Sequence, residues 1–302
     1  MKKAIIAGAS GLVGRSVAKY LSKKNIDVLC LGRRDLDHTD VNKLFGRKAK
    51  YIQLSMENIE NLPDKISNID WECGNNCVFY NFAWSGINDL TDGKLEDQLE
   101  NAIQSSLAVK VVKKLGCIKF INCGTIEETY AKWHLRKNIP FQSSHCNYAI
   151  AKIASNDMCN IVSYLEKIDY VHTRLSVPLS PNLTIGGYIS KTLKNILDKK
   201  QYEKPQNKQL YDIIFTSDAA EAYYLIGLHG KNKADYFIGS GKPTTLNNYF
   251  ENIRQIVMGI PVKNKDTISS DSLDFFSTED LYTDTGFVAK YDRLDLLGAK
   301  ES

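Results

Sequence analysis

Three residues near the middle of the chain carry side chains that could move a proton to or from an oxygen atom. Tyr148 and Lys152 lie four positions apart in a segment with helical apolar spacing, so both face one side of a helix. A phenol ordinarily titrates at about 10, and a neighbouring ammonium lowers that pKa towards the working range of an acid–base catalyst. Thr125, at the end of a predicted strand, can hydrogen-bond the same substrate oxygen. We predict Thr125, Tyr148 and Lys152 as catalytic residues, although the tyrosine–lysine pair taken alone would indicate only an exposed helix edge.

The second chemical signal is a set of three glycines, Gly8, Gly11 and Gly14, near the start of the chain. They follow the apolar run 4–7 and precede a segment with helical spacing, an order that predicts strand, tight turn and helix. Such a turn holds a pyrophosphate against free N–H groups and the positive end of the helix dipole. A plain surface turn is the alternative, but a second predicted strand at the right distance favours a dinucleotide site. The predicted cofactor contacts here are Gly8, Ser10, Gly11, Leu12 and Val13.

The end of the second predicted strand indicates which dinucleotide is bound. An acidic residue at this place holds the ribose hydroxyls of NAD, whereas Gly32 leaves room for a 2′-phosphate and a guanidinium can bind that phosphate. A solvated loop is the alternative for Arg33 and Arg34. We predict NADP(H) as the cofactor, with Arg33 as the phosphate ligand. Ala83, which follows the fourth predicted strand, is small enough to let the cofactor ribose approach, and Tyr148 and Lys152 complete the predicted cofactor contacts.

Predicted strands and helices alternate through the first 175 residues. Strand-like apolar runs are separated by segments with helical spacing, and these runs lie at 4–7, 26–31, 51–54, 77–83, 118–123 and 170–175. Strands separated by helices of this length pair in parallel through crossover connections. The sequence therefore predicts an α/β fold, with a Rossmann-type doubly wound parallel sheet over residues 1–175.

From residue 176 the alternation becomes irregular, because Pro178, Pro181 and Pro205 interrupt it. We predict a smaller C-terminal α/β lobe over residues 176–302 that binds the substrate, with residues 208–232 returning to the first domain. Ser217 and Thr245 stand where the N-caps of two predicted helices belong.

The composition excludes several classes of protein. The chain has 302 residues, of which 43% are hydrophobic and 25% charged, as in a globular protein. Its formal net charge is only +4 and its basic residues are spread along the sequence, so we expect no nucleic-acid partner. No apolar run is long enough to span a bilayer, and the apolar start is too short for a signal peptide. We therefore expect no membrane partner and a cytoplasmic location.

Seven cysteines, an odd number spread along the sequence, do not form a disulfide framework in a chain of this size. Only Cys73 and Cys77 are close to one another, and neither a second pair nor a histidine lies at a matching interval. We therefore predict no metal site and interpret the cysteines as buried or loop thiols.

Several of these motifs together resemble the extended short-chain dehydrogenase/reductases, the NAD-dependent epimerase/dehydratase family that acts on nucleotide sugars. The resemblance rests on the glycine motif, the residues Asn81-Phe82-Ala83, Thr125, and Tyr148 with Lys152. It covers most of the chain. It implies a Rossmann domain that holds NADP, a C-terminal lobe that holds a nucleoside-diphosphate sugar, and a homodimer assembled through two helices of each copy.

The residues after Thr125 depart from one part of that family pattern. Nucleotide-sugar 4,6-dehydratases typically carry an aspartate where this chain has Ile126, so no acid stands there to protonate a departing hydroxyl. Glu127 can still contact the substrate and is predicted as a substrate-binding residue. Trp84 is predicted to stack on the sugar, although packing explains a tryptophan at this place equally well.

An NADPH-preferring member without the dehydratase acid is best interpreted as a reductase. The resemblance favours NADPH-dependent reduction of a nucleoside-diphosphate 4-keto-6-deoxyhexose in surface-polysaccharide or glycan sugar biosynthesis. In that reaction Tyr148 protonates the new alkoxide, Lys152 holds the nicotinamide ribose, and Thr125 orients the carbonyl. A nucleotide-sugar epimerase of the same family is one alternative. A non-catalytic NADP-binding regulatory protein is another, although such a protein has no chemical need for all three residues.

Overall fold

The computed structural model describes residues 1–86, 94–138, 145–183, 187–206, 209–262 and 274–291. Its strands are β1 (Lys3–Ala7), β2 (Asp27–Gly32), β3 (Ala49–Gln53), β4 (Cys77–Asn81), β5 (Lys119–Thr125), β6 (Asp169–Leu175), β7 (Val177–Leu179), β8 (Leu210–Tyr211), β9 (Ile213–Phe215), β10 (Asp235–Ile238) and β11 (Thr244–Thr245). Its α-helices are α1 (Leu12–Lys23), α2 (His38–Phe45), α3 (Leu62–Ser67), α4 (Leu95–Lys114), α5 (Glu127–Lys137), α6 (Cys146–Glu166), α7 (Tyr188–Leu197), α8 (Thr216–His229), α9 (Leu246–Val257) and α10 (Glu279–Thr285).

The central sheet has seven strands in the order β3-β2-β1-β4-β5-β6-β10, and each hydrogen-bonded pair in it is parallel. Two small pairs lie outside this sheet: β8 pairs with β11 and β7 pairs with β9. In a parallel sheet all carboxyl ends lie at one edge, which is where ligands bind in open α/β folds. The sheet therefore brings the ends of β1, β2, β4 and β5 to one side of the molecule.

The two faces of the sheet bury two separate hydrophobic clusters. Along β1, Ala4 and Ile6 join the cluster that contains α1 and α8, whereas Ile5 and Ala7 join the cluster that contains α4. This alternation follows from the two-residue period of a strand. Helices cover both faces, so the predicted Rossmann-type doubly wound parallel sheet is confirmed.

A third cluster, built from α7, α9 and neighbouring strands, lies apart from the central sheet. It contains Leu193, Phe215 and Phe250, and its members fall within the predicted lobe 176–302. Helix α8, within 208–232, packs against α1. Strand β10, although it also falls within 176–302, pairs with β6 at the edge of the central sheet. The division of the chain at residues 175 and 176 stays a prediction.

One of the two predicted N-caps agrees with the structure. Thr245 caps α9, and its hydroxyl accepts a hydrogen bond from the Asn248 amide at 3.3 Å. The prediction for Ser217 is wrong, because α8 begins one residue earlier and Phe215 occupies the N-cap position. The Ser217 hydroxyl is buried and has no hydrogen-bond partner among the described residues. Within the described ranges, no helix is both long and apolar enough to cross a membrane.

Candidate active site

The glycine turn after β1 is shaped by close contact with the end of β4. Gly8 has φ +74°, and a Cβ placed on it would lie 2.6 Å from the Ala83 backbone nitrogen. A Cβ on Gly14 would lie 2.4 Å from the Gly8 carbonyl oxygen. Both positions therefore require glycine, which has no Cβ and tolerates positive φ. The structure places Ala83 directly against the turn, as a contact with a ligand in that turn requires.

The N-terminus of α1 opens from this turn. Gly11 is its N-cap, and no described side chain caps the helix there. Gly11 is exposed, and Ser10, Leu12 and Val13 are half-buried. A Cβ on Gly11 would meet only the Gly8 carbonyl oxygen, at 3.3 Å, among the described atoms. Because the first N–H groups of a helix have no partner within it, this open turn fits the pyrophosphate of a dinucleotide.

The end of β2 lies beside the same turn. A Cβ on buried Gly32 would lie 3.4 Å from the Ser10 hydroxyl and 2.8 Å from the Tyr51 hydroxyl. The backbone that follows is held in place, since the Arg33 carbonyl accepts from Gln53 at 3.0 Å and the Arg34 carbonyl accepts from Tyr51 at 2.6 Å. Both arginine side chains are exposed. Two guanidinium groups are thus available next to the predicted dinucleotide site.

The three predicted catalytic residues lie together at the carboxyl end of β5. The Tyr148 phenol, on α6, lies close enough to the Thr125 side chain for that side chain to lower its pKa. Lys152, one turn further along α6, is buried, and its ammonium donates to the Cys123 carbonyl at 2.7 Å. The ammonium lies 5.8 Å from the centre of the Tyr148 ring. The spacing of four residues therefore puts both side chains on the same face of α6, as predicted.

The pKa of Tyr148 shifts in the direction opposite to the prediction. Burial, with the nearby Cys123 thiol as the next cause, raises the pKa of the phenol above its ordinary 10.0, and the hydrogen bond to Thr125 only partly offsets this. Burial also lowers the pKa of Lys152 below its ordinary 10.5. The pattern Tyr-x-x-x-Lys does not indicate whether the tyrosine is buried, and for this reason the predicted direction of the Tyr148 pKa shift was wrong.

The Trp84 side chain packs against both Tyr148 and Lys152. Its ring lies 3.8 Å from the Lys152 ammonium, a cation–π distance, and meets the Tyr148 ring edge-on with centroids 5.9 Å apart. Its indole nitrogen donates to Gln98 at 2.8 Å. The next residue, Ser85, is held by Asn101, which accepts from the Ser85 amide at 2.7 Å. The structure thus places Trp84 at the site, packed against the catalytic candidates.

Two buried residues, whose positioning role the sequence did not indicate, hold Thr125 in place. The Glu128 carboxylate accepts from the Thr125 amide at 2.8 Å, and its second oxygen lies 2.9 Å from the His172 Nε2 atom. A Cβ on Gly124 would lie only 2.5 Å from that nitrogen atom, so the pair occupies the space that a glycine leaves. Glu128 lies in the first turn of a helix directly after Thr125, and this position is the signal that could have indicated it.

The two residues between Thr125 and Glu128 differ in character. Ile126 is buried in an apolar cluster with Phe237 and Phe276. Glu127 is also buried, and one of its carboxylate oxygens lies 4.0 Å from the His145 Nδ1 atom. Its other oxygen has no hydrogen-bond partner among the described residues. A buried acceptor of this kind suits a ligand that brings its own hydrogen-bond donor.

A comparison with known protein families identifies the group to which this site belongs. A sequence model described as the NAD dependent epimerase/dehydratase family matches residues 4–239. The chain belongs to the NAD-dependent epimerase/dehydratase family. The match spans the glycine turn, the end of β5 and the tyrosine and lysine of α6, so the candidate site described above lies within the matched residues. No curated protein sequence matches the chain.

Solved structures of similar fold include sugar-nucleotide enzymes. UDP-glucose 4-epimerase from Thermotoga maritima, solved with UDP-glucose, is 17% identical with a TM-score of 0.70, and the match covers 99% of this chain and 96% of that one. dTDP-glucose 4,6-dehydratase from Bacillus anthracis, solved with NAD, is 15% identical with a TM-score of 0.73, and the match covers 100% and 97%. A variant UDP-glucuronic acid 4-epimerase from Bacillus cereus, solved with NAD, is 16% identical with a TM-score of 0.72, and the match covers 98% and 97%. Because the sequence identities are only 15–17%, these similarities show the fold of the chain and nothing about its substrate.

Proposed function

We propose that this family member reduces a nucleoside-diphosphate 4-keto-6-deoxyhexose with NADPH, in surface-polysaccharide or glycan sugar biosynthesis. The observation that carries the proposal is the meeting of the Thr125 and Tyr148 side chains beside the buried ammonium of Lys152, at the carboxyl end of β5. A carbonyl oxygen that reaches this pair meets two hydroxyl groups that can donate to it.

The residues around the glycine turn suit NADP(H). Gly8, Gly11 and the first N–H groups of α1 would hold the pyrophosphate, and Arg33 would bind the 2′-phosphate with charge-assisted hydrogen bonds. Ala83, against the turn, leaves room for the ribose. When bound, NADPH supplies the hydride for the reduction.

The chain itself supplies the proton. A raised pKa keeps the Tyr148 phenol protonated near neutral pH, which is the form that a proton donor needs. Tyr148 donates that proton to the substrate oxygen, and the phenolate left behind is stabilised by the Lys152 ammonium. Thr125 keeps the oxygen in place by hydrogen bonding. Lys152 is buried and Thr125 and Tyr148 are half-buried, and this partial exclusion of water strengthens these interactions.

Two observations favour reduction over the other reactions of the family. Ile126 and its apolar partners occupy the position where a dehydratase needs an acid. A phenol that is protonated at neutral pH can donate its proton, whereas an epimerase that oxidises its substrate first needs a base that removes a proton from a sugar hydroxyl. A nucleotide-sugar epimerase is the second candidate, because epimerases with bound NAD share this fold.

The substrate contacts follow from the groups that surround the pair. The Glu127 oxygen that lacks a hydrogen-bond partner in the described part of the chain can accept a hydrogen bond from a sugar hydroxyl. Trp84 presents a ring at the same place and would contact the sugar. The nucleoside diphosphate would extend into the C-terminal lobe, built around the cluster of α7 and α9.

We also propose a homodimer that forms through α4 and α6. These helices pack against each other, and their outer surface carries exposed apolar side chains at helical spacing: Leu99, Ile103, Ile150, Met158, Ile161 and Leu165. A patch of this kind on a folded protein favours association, and a second copy presents the same patch.

The seven free cysteines fit a reducing, cytoplasmic location.

An assay of cofactor consumption separates the candidates. The purified protein is incubated with NADPH or NADH and a panel of nucleoside-diphosphate 4-keto-6-deoxyhexoses, and absorbance of the reduced nicotinamide is followed. Stoichiometric NADPH oxidation with one sugar nucleotide supports the reductase. A change of sugar configuration without net cofactor consumption would support the epimerase instead. Tight NADP binding with neither change would favour a non-catalytic binding protein.

A further inference from the structure

Three buried cysteines meet at the edge of the sheet opposite the candidate active site. Cys73 precedes β4, Cys77 begins β4, and Cys117 lies between α4 and β5. Their sulfur atoms all lie within 4.8 Å of one another, and the sulfur atoms of Cys73 and Cys117 are 3.4 Å apart. The amino ends of β4 and β5 therefore carry a compact group of three thiols.

The sequence predicts no metal site, because Cys73 and Cys77 have no second pair at a matching interval. The fold supplies the third sulfur from 44 positions after Cys73. Two glycines in the left-handed region, Gly74 with φ +63° and Gly116 with φ +93°, turn the chain next to Cys73 and Cys117. A Cβ on Gly116 would lie 3.5 Å from the Gly74 carbonyl oxygen, so the two turns are in contact.

The spacing of the sulfur atoms suits a single metal ion. A zinc–thiolate bond is about 2.3 Å long, so tetrahedral geometry holds its sulfur ligands about 3.8 Å apart. The Cys73–Cys117 pair at 3.4 Å and the upper limit of 4.8 Å on the other sulfur–sulfur distances are compatible with that value.

The surroundings also suit a cation held by thiolates. The Lys3 ammonium is held close by, because it donates a hydrogen bond to the carbonyl of Glu72, next to Cys73, and lies 5.3 Å over the Trp71 ring. One divalent cation and three thiolates leave a single negative charge, which the Lys3 ammonium offsets. Soft sulfur ligands select thiophilic ions over hard ones.

We propose that Cys73, Cys77 and Cys117 bind one divalent thiophilic cation of the zinc group. Binding forms three metal–sulfur bonds, releases to solvent the protons of the thiols that are still protonated, and transfers no electron. Water takes the fourth position, as in zinc centres with three protein ligands. The bound ion ties the loop before β4 to the turn between α4 and β5. This site stands apart from the proposed reductase chemistry and does not depend on it.

Cadmium titration tests the site. The full chain is reduced, treated with a chelator and titrated anaerobically with Cd²⁺ while the ultraviolet thiolate-to-cadmium charge-transfer absorbance is followed. The proposal predicts saturation at one equivalent, competition by Zn²⁺, and a metal-dependent rise in melting temperature. Cys117→Ser removes the response, whereas Cys159→Ser, at another buried cysteine on α6, retains it.

Circular dichroism without metal shows whether each variant is folded, and Cys73→Ser, in the loop, repeats the test if Cys117→Ser is unfolded. Absence of a charge-transfer band at one equivalent would overturn the proposal. So would a band that survives in both Cys117→Ser and Cys73→Ser. A Cys73–Cys117 disulfide in protein purified without reductant but with Zn²⁺ present would also contradict it, because the thiols would then serve a redox function.

Discussion

Burial determines the protonation state of both titratable groups at the candidate site. It raises the pKa of the Tyr148 phenol above 10.0 and lowers the pKa of the Lys152 ammonium below 10.5. The reaction needs the protonated form of each group, so kcat is at its full value below both pKa values and is lost as pH rises. Since the pKa of Lys152 is the lower one, its deprotonation sets the first decline.

We therefore expect kcat for carbonyl reduction to stay level through neutral pH and to decrease as the pH rises further. The decrease should begin before the pH reaches 10.5, the ordinary pKa of a lysine. Initial rates at saturating NADPH and substrate, measured from neutral to alkaline pH, check this. An increase of kcat with pH across the same range would contradict it, because Tyr148 would then act as a phenolate base.

Arg33 is expected to select the phosphorylated cofactor. Arg33→Ala removes charge-assisted hydrogen bonds to the 2′-phosphate, which are worth enough to raise KM for NADPH by at least about tenfold. The KM for NADH, which has no such phosphate, should not change. Arg47→Ala, at another exposed arginine, is the matched control. Equal KM values for NADPH in the two variants would remove Arg33 from the cofactor site.

The sequence predicted which candidate catalytic residues lie together better than it predicted the residues that hold them in place. Thr125, Tyr148 and Lys152 come together as expected, because helical spacing and strand ends are local properties. The contact between Glu128 and His172 was not predicted, because it joins residues 44 positions apart on separate elements. The same limit hid the approach of Cys117 to Cys73.

The connection from β5 through α5 to β6 depends on the buried Glu128–His172 pair. Glu128→Ala would leave the Thr125 amide and the His172 ring without their buried partner, which costs about 3 kcal/mol of unfolding free energy. Urea unfolding measures this loss, and kcat should fall as well because Thr125 is no longer held. Glu60→Ala, at an exposed glutamate, should change the unfolding free energy by less than about 0.5 kcal/mol. A similarly small change for Glu128→Ala would show that the pair contributes no stability.

Element boundaries show where local reasoning fails. The strands of the central sheet were predicted closely, because buried parallel strands are short apolar runs with clear ends. Helix α5 was not predicted, because it begins directly at the active-site strand without a capping side chain. Ser217 was predicted as an N-cap on residue type, but the helix starts at Thr216 and buries the serine hydroxyl. Tertiary packing outweighs the local preference there.

The apolar surface of α4 and α6 predicts how whole molecules associate. Ile161→Glu places a charge within the proposed contact between copies, so we expect a dimer to become a monomer. Leu135→Glu, on α5, is a matched control, since Leu135 is 63% exposed and Ile161 is 62% exposed. Sedimentation velocity gives the molecular mass of each. A monomeric wild-type protein, or a dimer in both variants, would exclude this interface.

The central sheet and the separate cluster of α7 and α9 divide the molecule between two tasks in our account. The sheet brings the glycine turn, Arg33 and the candidate catalytic residues Thr125 and Tyr148 to one edge, where the cofactor would lie. The cluster lies apart from the sheet, where it would hold the sugar nucleotide. The identity of the nucleotide and sugar depends on side chains in that lobe, where the sequence pattern is irregular and predicted least.

Transfer of deuterium from the cofactor to the sugar tests the reductase most directly. NADPH deuterated at the transferable position is incubated with a nucleoside-diphosphate 4-keto-6-deoxyhexose, and the product is analysed by mass spectrometry. We predict one deuterium at the former carbonyl carbon. Tyr148→Phe should lower the rate at least about a hundredfold without weakening NADPH binding, whereas Tyr164→Phe, on the exposed side of α6, should not. A product without deuterium, or undiminished turnover by Tyr148→Phe, would contradict the proposed function.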